Sequence, residues 1–226
     1  MLGRWAMASV VKSNLDQFSE FHHECHFVTK VLLDCISSGM GLRGASSLQQ
    51  YHRDDAPSKG SLFFIHYPPF DASSDEVGQN QHTDIGSLTL LFAQQWGLQV
   101  LYPSDSVCPE TGEKFQWRSV EPRTGHAIIN VGDTLRFLSG FRLRSALHRA
   151  LPLENGVDRY SVAYFMRPSD DSEFKDVNGE TTSAVNWYLR KNRTYENAGG
   201  VQDEAILVGG IKEVMANVSP KRPTVE

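Results

Sequence analysis

The sequence predicts a mainly β protein, a sandwich or barrel of short strands with helices flanking the strand region. Seven segments of strand length follow one another between residues 61 and 166, with turn-forming residues between them, which is typical of all-β sandwiches and barrels. One helical pattern precedes these segments and another follows them. The chain has 226 residues, of which 40% are hydrophobic, so a single domain can bury a core of its own.

The first helix is predicted over residues 14–38. Its apolar residues recur every three to four positions, which places them on one face of a helix. Asn14 is suited to cap the start of this helix and Gly39 to end it. A second helical segment is expected near residues 181–192, and the proline-containing segment 216–226 is expected to form a loose tail.

The strands are predicted from runs of aliphatic, aromatic and β-branched residues between polar turns. Their ranges are 61–67, 87–93, 97–103, 115–120, 126–132, 144–151 and 159–166. Residues 133–140 are predicted as a turn or a short helix. We divide the chain accordingly into an N-terminal helical segment and loop (1–60), a strand-rich core (61–170), and a C-terminal helix and tail (171–226).

Charge and cysteine content limit the classes of partner. The net charge of −5 and the pI near 5.9 argue against nucleic acid as the main partner. No segment approaches the roughly 20 apolar residues of a membrane span, and the N-terminus makes a poor signal peptide. Cys25, Cys35 and Cys108 are an odd set without close spacing, which fits reduced thiols. We therefore expect a cytoplasmic protein with a small-molecule substrate and no nucleic-acid or membrane partner.

The segment QNQHTDIGSLTLLF places His82 and Asp84 two residues apart at the start of a predicted strand. Side chains at such a spacing in a strand project from the same face, so an imidazole and a carboxylate would lie side by side as two metal ligands. Chance alone would give about one His-x-acid triplet in this composition. The pattern therefore needs a distant partner before it indicates a site.

Two other patterns are interpreted as surface features. His52 and Asp54 form another His-x-acid triplet, but they lie in a polar loop, so we expect them to be solvated. Arg167 and Ser169 flank Pro168, which interrupts the strand, so we expect this pair at the rim.

The distant partners come from two late strands. His148 lies within RSALHRAL, and Arg159 and Ser161 share one face of the strand RYSVAYFM. An arginine in an apolar interior needs an anion as its partner. A ligand carboxylate would meet this need, bound bidentately by the guanidinium and assisted by the Ser161 hydroxyl. Two histidines and one carboxylate on one metal leave open positions, a ligand set that indicates non-haem Fe(II) and oxygen chemistry.

Residues 61–190 resemble the iron(II)- and 2-oxoglutarate-dependent oxygenases of the isopenicillin N synthase-like type. The resemblance rests on six motifs in order: IHYPP, QHTDIGSLTLLF, GLQVLYP, HAIINVGDTLRFLSG, RSALHRAL and RYSVAYFMRPSD. It implies a double-stranded β-helix, that is, a jelly-roll barrel with helices packed outside. It also implies Fe(II), the cosubstrate 2-oxoglutarate, and O2 as cofactors.

The resemblance assigns roles to individual positions. The three residues in the ligand set above, His82, Asp84 and His148, would bind iron. Arg159 and Ser161 would then hold the distal carboxylate of 2-oxoglutarate.

Two aromatic positions complete these assignments. Tyr67 matches a tyrosine that approaches the cosubstrate, and Phe165 aligns with an aromatic residue that lines the substrate pocket in some relatives. Packing in the core is the alternative role for either side chain.

One departure concerns the front of the chain. Only 81 residues precede His82, so the region that covers the barrel in relatives is expected to be shortened here. An uncovered barrel face would expose apolar surface and favour self-association.

Three functions follow from the resemblance. The first is an oxygenase that hydroxylates or desaturates a small organic molecule, as in secondary metabolism, while decarboxylating 2-oxoglutarate to succinate. The second is an Fe(II) oxidase of the isopenicillin N synthase kind that does not use 2-oxoglutarate. The third is a truncated binding protein without catalysis.

Overall fold

The computed structural model describes residues 8–68, 81–103, 115–151, 157–196, 206 and 208–210. The chain separates into two compact units, Met1–Gln50 and Tyr51–Glu226. The three-part division made from the sequence stays a prediction. Cys108 and the predicted tail 216–226 lie outside the described residues.

The first unit is helical. It contains α1 (Ser9–Ser13) and α2 (Leu15–Gly39), followed by a short 3-10 helix at Gly44–Ser46. A second 3-10 helix, Leu48–Tyr51, begins in this unit and ends at the first residue of the next. Helix α2 agrees with the predicted range 14–38 to within one residue at each end. The side chain of Asn14 makes no capping bond to α2; its Nδ2 donates to the Val10 carbonyl at 2.8 Å instead.

The second unit carries the strands. In chain order these are β1 (Ser61–Tyr67), β2 (Leu88–Ala93), β3 (Leu98–Pro103), β4 (Phe115–Ser119), β5 (Ile128–Val131), β6 (His148–Ala150), β7 (Arg159–Met166), β8 (Glu173–Lys175) and β9 (Thr181–Ser183). Helix α3 (Asp133–Leu138) follows β5, and α4 (Ala184–Glu196) follows β9. Each of the seven predicted strands is present, which confirms the mainly β prediction.

Two antiparallel sheets enclose the central cavity. One has the strand order β1-β7-β2-β5 and the other the order β4-β3-β6. Residues of both sheets line the same cavity, so the sheets face one another. In β7, alternate residues starting with Arg159 face this cavity, whereas Tyr160 points outward and is 58% exposed. The alternation is the one predicted for Arg159 and Ser161.

Some elements differ from the predictions. The short strands β8 and β9 pair with each other and were not predicted; β9 (Thr181–Ser183) occupies the start of the segment 181–192 that was predicted as helical. Helix α4 begins later and ends later than the predicted range 181–192. Among the helices of the described ranges, none combines the length and the apolar character that crossing a membrane would require.

Candidate metal centre

The three predicted metal ligands converge on one point of the cavity wall. The ligand atoms of His82, Asp84 and His148 all lie within 4.8 Å of one another. Nε2 of His82 is 3.7 Å from Oδ1 of Asp84, and Nε2 of His148 is 3.8 Å from the same oxygen. These distances are too long for hydrogen bonds and leave space between the atoms for an ion. Within the described part of the chain, this is the one cluster of its kind.

The backbone brings the two histidines together directly. The His82 amide donates to the His148 carbonyl at 2.9 Å, and the His148 amide donates to the His82 carbonyl at 3.0 Å. This reciprocal pair is an isolated antiparallel bridge, and it sets the ring centroids 4.4 Å apart. A single bridge thus joins residues that are far apart in sequence.

The position of His82 and Asp84 corrects one step of the sequence argument. They precede β2, which starts at Leu88, rather than forming its first residues. Residues 85–87 bend, and the Asp84 carbonyl accepts from the Asp133 amide at 2.8 Å. The two side chains therefore converge because a bent segment is anchored at both ends, and strand alternation is not the cause.

The carboxylate of Asp84 is oriented by two donors. Its Oδ2 accepts hydrogen bonds from the Thr89 hydroxyl at 2.5 Å and from Asn130 Nδ2 at 2.7 Å. Burial alone would raise the pKa of Asp84, but the imidazoles of His148 and His82, together with these hydrogen bonds, lower it to about 2. The carboxylate therefore stays ionised, as a metal ligand must.

A further hydrogen bond selects the tautomer of His148. Its Nδ1 lies 2.9 Å from the Ala146 carbonyl, which can only accept, so Nδ1 carries the proton. The lone pair of Nε2 then faces Asp84 and is free to bind a metal. Two nitrogens and one carboxylate oxygen are a donor set that fits Fe(II).

The cavity beside these ligands has a volume of about 390 Å³, within the range of small-molecule sites. Its lining is mostly aliphatic and includes all of the remaining predicted site residues: Tyr67, Arg159, Ser161 and Phe165. The sequence interpretation therefore selected side chains that share one cavity.

Arg159 is the charged group in the cavity wall that most needs a partner. It is 1% exposed; its Nε donates to the Trp96 carbonyl at 2.8 Å, while Nη1 has no hydrogen-bond partner. Its guanidinium lies over the Tyr67 ring, 4.7 Å from the ring centroid. Within the described residues it forms no ion pair with an acidic side chain, so an anionic ligand could complete its hydrogen bonds.

The predictions of surface positions are wrong for His52 and Ser169, whereas Asp54 is exposed as expected. His52 is 3% exposed, and its Nε2 lies 2.7 Å from the Ser87 hydroxyl. Ser169 is fully buried, because the chain after β7 passes against residues 51–61 and its amide donates to the Tyr51 carbonyl at 2.8 Å. Arg167 is half-buried and donates to the Ser61 hydroxyl. Local polarity did not reveal these long-range contacts.

Sequence reasoning also missed Thr89 and Asn130, which orient Asp84. A signal was present for Asn130, since it is the one polar residue in the apolar strand Ile128–Val131. Thr89 gave no comparable signal, because a threonine is ordinary in a strand.

Comparison with known proteins assigns the chain to a family. The family model of the 2OG-Fe(II) oxygenase superfamily matches residues 58–168. The chain is 49% identical to 2-oxoglutarate-dependent dioxygenase FG08081 of Gibberella zeae, over 92% of this chain and 60% of the relative. It is 44% identical to 2-oxoglutarate-dependent dioxygenase iboH of Amanita muscaria, over 93% of this chain and 100% of the relative. It thus spans three fifths of the first relative and all of the second.

Solved structures agree on the fold. A full-length Neurospora crassa protein crystallised in complex with alpha-KG matches with a TM-score of 0.66 and 24% identity, over 84% of this chain and 62% of that one. The protein JOX2, in complex with 2OG, Fe and JA, matches with a TM-score of 0.65 and 20% identity, over 83% and 54% of the two chains. These likenesses confirm the predicted double-stranded β-helix. This chain belongs to the 2OG-Fe(II) oxygenase superfamily.

Proposed function

We propose that the chain oxidises a small organic molecule with Fe(II) and O2 while decarboxylating 2-oxoglutarate to succinate. The family to which it belongs uses Fe(II), 2-oxoglutarate and O2. The observation that carries the proposal is the convergence of three ligand atoms within 4.8 Å of one another in the wall of a small-molecule cavity. In this proposal His82, Asp84 and His148 bind the iron.

The proposed site has a second part, which holds the cosubstrate. Arg159 binds the distal carboxylate of 2-oxoglutarate with the help of the Ser161 hydroxyl. Tyr67 packs under the guanidinium, and burial raises the pKa of its phenol, so that the hydroxyl remains protonated. The unpartnered Nη1 of Arg159 supports this assignment, since a buried cation without an anion is costly.

The protein contributes orientation and a dry site to the reaction. Bound Fe(II) supplies the activation of O2 that couples oxidative decarboxylation to oxidation of a C–H bond. Arg159 fixes one end of the keto acid and thereby limits its possible orientations at the metal. Aliphatic residues of both sheets line the same space and offer water no hydrogen bonds. Phe165, which also lines it, is proposed to contact the substrate.

Charge in the cavity narrows the class of substrate. Asp84 is the one acidic side chain among the described lining residues. Its charge, together with those of Fe(II), Arg159 and doubly ionised 2-oxoglutarate, cancels to zero. Arg144, an exposed lining residue, leaves one positive charge over, which favours a substrate with an anionic group.

The substrate class can be tested with matched pairs of small aliphatic carboxylic acids and their primary amides. We expect the acids to stimulate 2-oxoglutarate decarboxylation more than the amides do, and Arg144→Met to remove that difference. Equal stimulation by acids and amides would contradict an anionic substrate.

The proposed activity is tested by measuring succinate and CO2 released from 2-oxoglutarate in the presence of Fe(II) and O2. Release that depends on Fe(II) supports the oxygenase. Oxygen consumption without succinate would indicate the oxidase alternative instead. Absence of both, together with absence of Mn(II) binding, would indicate a protein without this activity.

We also propose that the protein acts in the cytoplasm, supported by the free thiols of Cys25 and Cys35. Self-association is proposed because β1 carries two exposed aromatic residues, Phe63 and Phe64, at the edge of its sheet. Sedimentation at increasing protein concentration tests this; a monomer at all concentrations would contradict it.

A further inference from the structure

A fully buried ion pair lies directly behind the candidate metal centre. Lys191, from α4, places its Nζ 2.5 Å from Oδ2 of Asp133, the first residue of α3. Both side chains are 0% exposed. A buried ion pair is a weak source of stability, because apolar residues of similar volume stabilise a core as well or better. The pair therefore calls for an explanation other than stability.

The contacts of this pair join the segments that carry the predicted ligands. Lys191 Nζ also donates to the Thr83 hydroxyl at 2.7 Å, and Thr83 is the residue between His82 and Asp84. On the other side, Asp133 Oδ1 accepts from the Ser145 hydroxyl at 2.9 Å. Ser145 lies three residues before His148. One buried pair thus holds both segments.

Helix α4 makes a second contact with Thr83, through Tyr195. The hydroxyl of Tyr195, one turn after Lys191, donates to the Thr83 carbonyl at 3.2 Å. The Tyr195 ring meets the His82 ring edge to face, at a centroid distance of 5.7 Å. Burial raises the pKa of Tyr195 well above its ordinary value, so its hydroxyl remains a donor. Thr83 is therefore held by α4 through its side chain and its backbone.

Gly209 packs closely against Asp133 and Thr83. A Cβ at this position would lie 2.3 Å from Asp133 Oδ1 and 2.9 Å from Thr83 Oγ1, and its φ of +60° favours glycine. Arg136 Nη1 donates to the Gly209 carbonyl at 2.6 Å. Tight packing here leaves Thr83 little freedom to move.

We propose that Lys191 is a positioning residue for the metal centre, acting by fixing Thr83 so that His82 and Asp84 face one point. The proposal rests on the proposed function, since it takes these side chains to be metal ligands. Residues that orient metal ligands typically alter metal affinity about 10- to 100-fold when replaced. Lys191 is not among the residues that line the cavity, and its hydrogen bond to the ligand segment runs through Thr83; its charge also acts on Asp84.

The test compares Lys191→Met with Arg190→Met. Arg190 is the preceding residue of α4, and its Nη2 pairs with Asp176 at 2.7 Å. Among the described residues, neither partner of this ion pair hydrogen-bonds to residues 82–84. Affinity for Mn(II) alone is measured by calorimetric titration, and unfolding by urea. We expect Lys191→Met to weaken Mn(II) binding about 10- to 100-fold, and Arg190→Met to leave it within about twofold although it lowers stability.

The proposal would be overturned if Lys191→Met folds and has the Mn(II) affinity of the wild type. If Lys191→Met does not fold, the Mn(II) affinities of Thr83→Val and Thr83→Ser test the proposal instead. Valine removes the acceptor for Lys191 and is expected to weaken Mn(II) binding, whereas serine keeps the acceptor and should retain binding. Equal affinity of these two variants would overturn the proposal. A wild-type chain that binds no Mn(II) would instead overturn the proposed function, and this inference with it.

Discussion

At the scale of single residues, the hydrogen bonds of Asp84 determine which of its oxygens can bind a metal. Thr89 and Asn130 both donate to Oδ2, so Oδ1 remains as the oxygen that faces the imidazoles. The expected coordination is therefore through one oxygen. A carboxylate that bound the metal through one oxygen would leave more coordination positions for 2-oxoglutarate and O2 than one that bound it through both oxygens.

The hydroxyl of Thr89 forms the shorter of these two hydrogen bonds. We predict that Thr89→Val weakens Mn(II) affinity about tenfold, because the isosteric side chain removes one of the two donors that orient the carboxylate. Thr89→Ser keeps the hydroxyl and serves as the control. Calorimetric titration of both variants checks the prediction. Equal affinities would show that Thr89 does not orient the ligand.

Arg159 is proposed to have a role separate from that of the predicted metal ligands. Arg159→Ala should raise the KM for 2-oxoglutarate about 10- to 100-fold, through the loss of charge-assisted hydrogen bonds. Its Mn(II) affinity should stay within about twofold of the wild type. Steady-state kinetics and metal titration of the same preparation provide the comparison. If Arg159→Ala weakened Mn(II) affinity by as much as it raised the KM for 2-oxoglutarate, separate roles would be contradicted.

Individual residues differed in how far the sequence revealed them. His82, His148 and Arg159 were indicated because they are polar residues within or beside apolar strand segments. Lys191 could not be found in this way, because a lysine on a helix normally lies in solvent, and its buried partner comes from another helix. His52 was mistaken for a surface residue because the serine it contacts lies 35 positions away.

At the scale of elements, α4 carries two neighbouring ion pairs with different surroundings. The pair of Lys191 lies behind the candidate metal centre, whereas the pair of Arg190 with Asp176 is partly exposed on the Arg190 side. Burial acts to raise the pKa of Asp176, but hydrogen bonds from Arg190 and from the backbone amides of Asn178 and Glu180 outweigh it, so this pKa is lowered.

The lowered pKa of Asp176 predicts a pH dependence of stability. A carboxylate with a depressed pKa in the folded state stabilises the fold above its unfolded pKa, near 3.8, and loses this contribution as the pH falls through the folded pKa. Arg190→Met should therefore lower the free energy of unfolding by about 1–2 kcal/mol at pH 7. The difference from the wild type should shrink below pH 3.8. Urea unfolding at both pH values tests this, and a constant difference would contradict it.

Gly209 provides a test of packing against the buried pair. Gly209→Ala should destabilise the fold by at least about 2 kcal/mol, through a strained backbone and a clash with Asp133. Gly179→Ala is the matched control, since its φ is also positive, at +78°, but no atom lies within 4 Å of the added Cβ. The additional loss of unfolding free energy in Gly209→Ala, relative to Gly179→Ala, measures the cost of the clash. Equal losses in the two variants would show that backbone strain alone is responsible.

The predictability of the elements followed their length. Strand β1 was located to the residue and α2 to within one residue, because long apolar patterns average out local exceptions. Three-residue strands are too short to show alternation: β8 and β9 were missed, and β6 was predicted as the longer segment 144–151. The bend at residues 85–87 depends on contacts with α3, which no local pattern reports.

At the scale of the whole molecule, the site depends on segments from most of the strand-rich unit. The predicted metal ligands come from the segment before β2 and from β6, whereas the predicted cosubstrate residues come from β1 and β7. The two sheets share one cavity, so folding brings the metal position and the cosubstrate position together. The order of motifs along the chain indicated this assembly, but the sequence alone could not give the distances.

The central claim is that His82, Asp84 and His148 bind one metal ion. Calorimetric titration with Mn(II) tests it most directly, on the wild type, on His148→Ala and on His66→Ala. His66 is an exposed histidine that pairs with Asp158, and its variant is the control. We predict one ion per chain for the wild type and for His66→Ala, and affinity weakened more than about 100-fold for His148→Ala. Wild-type affinity in His148→Ala would contradict the account.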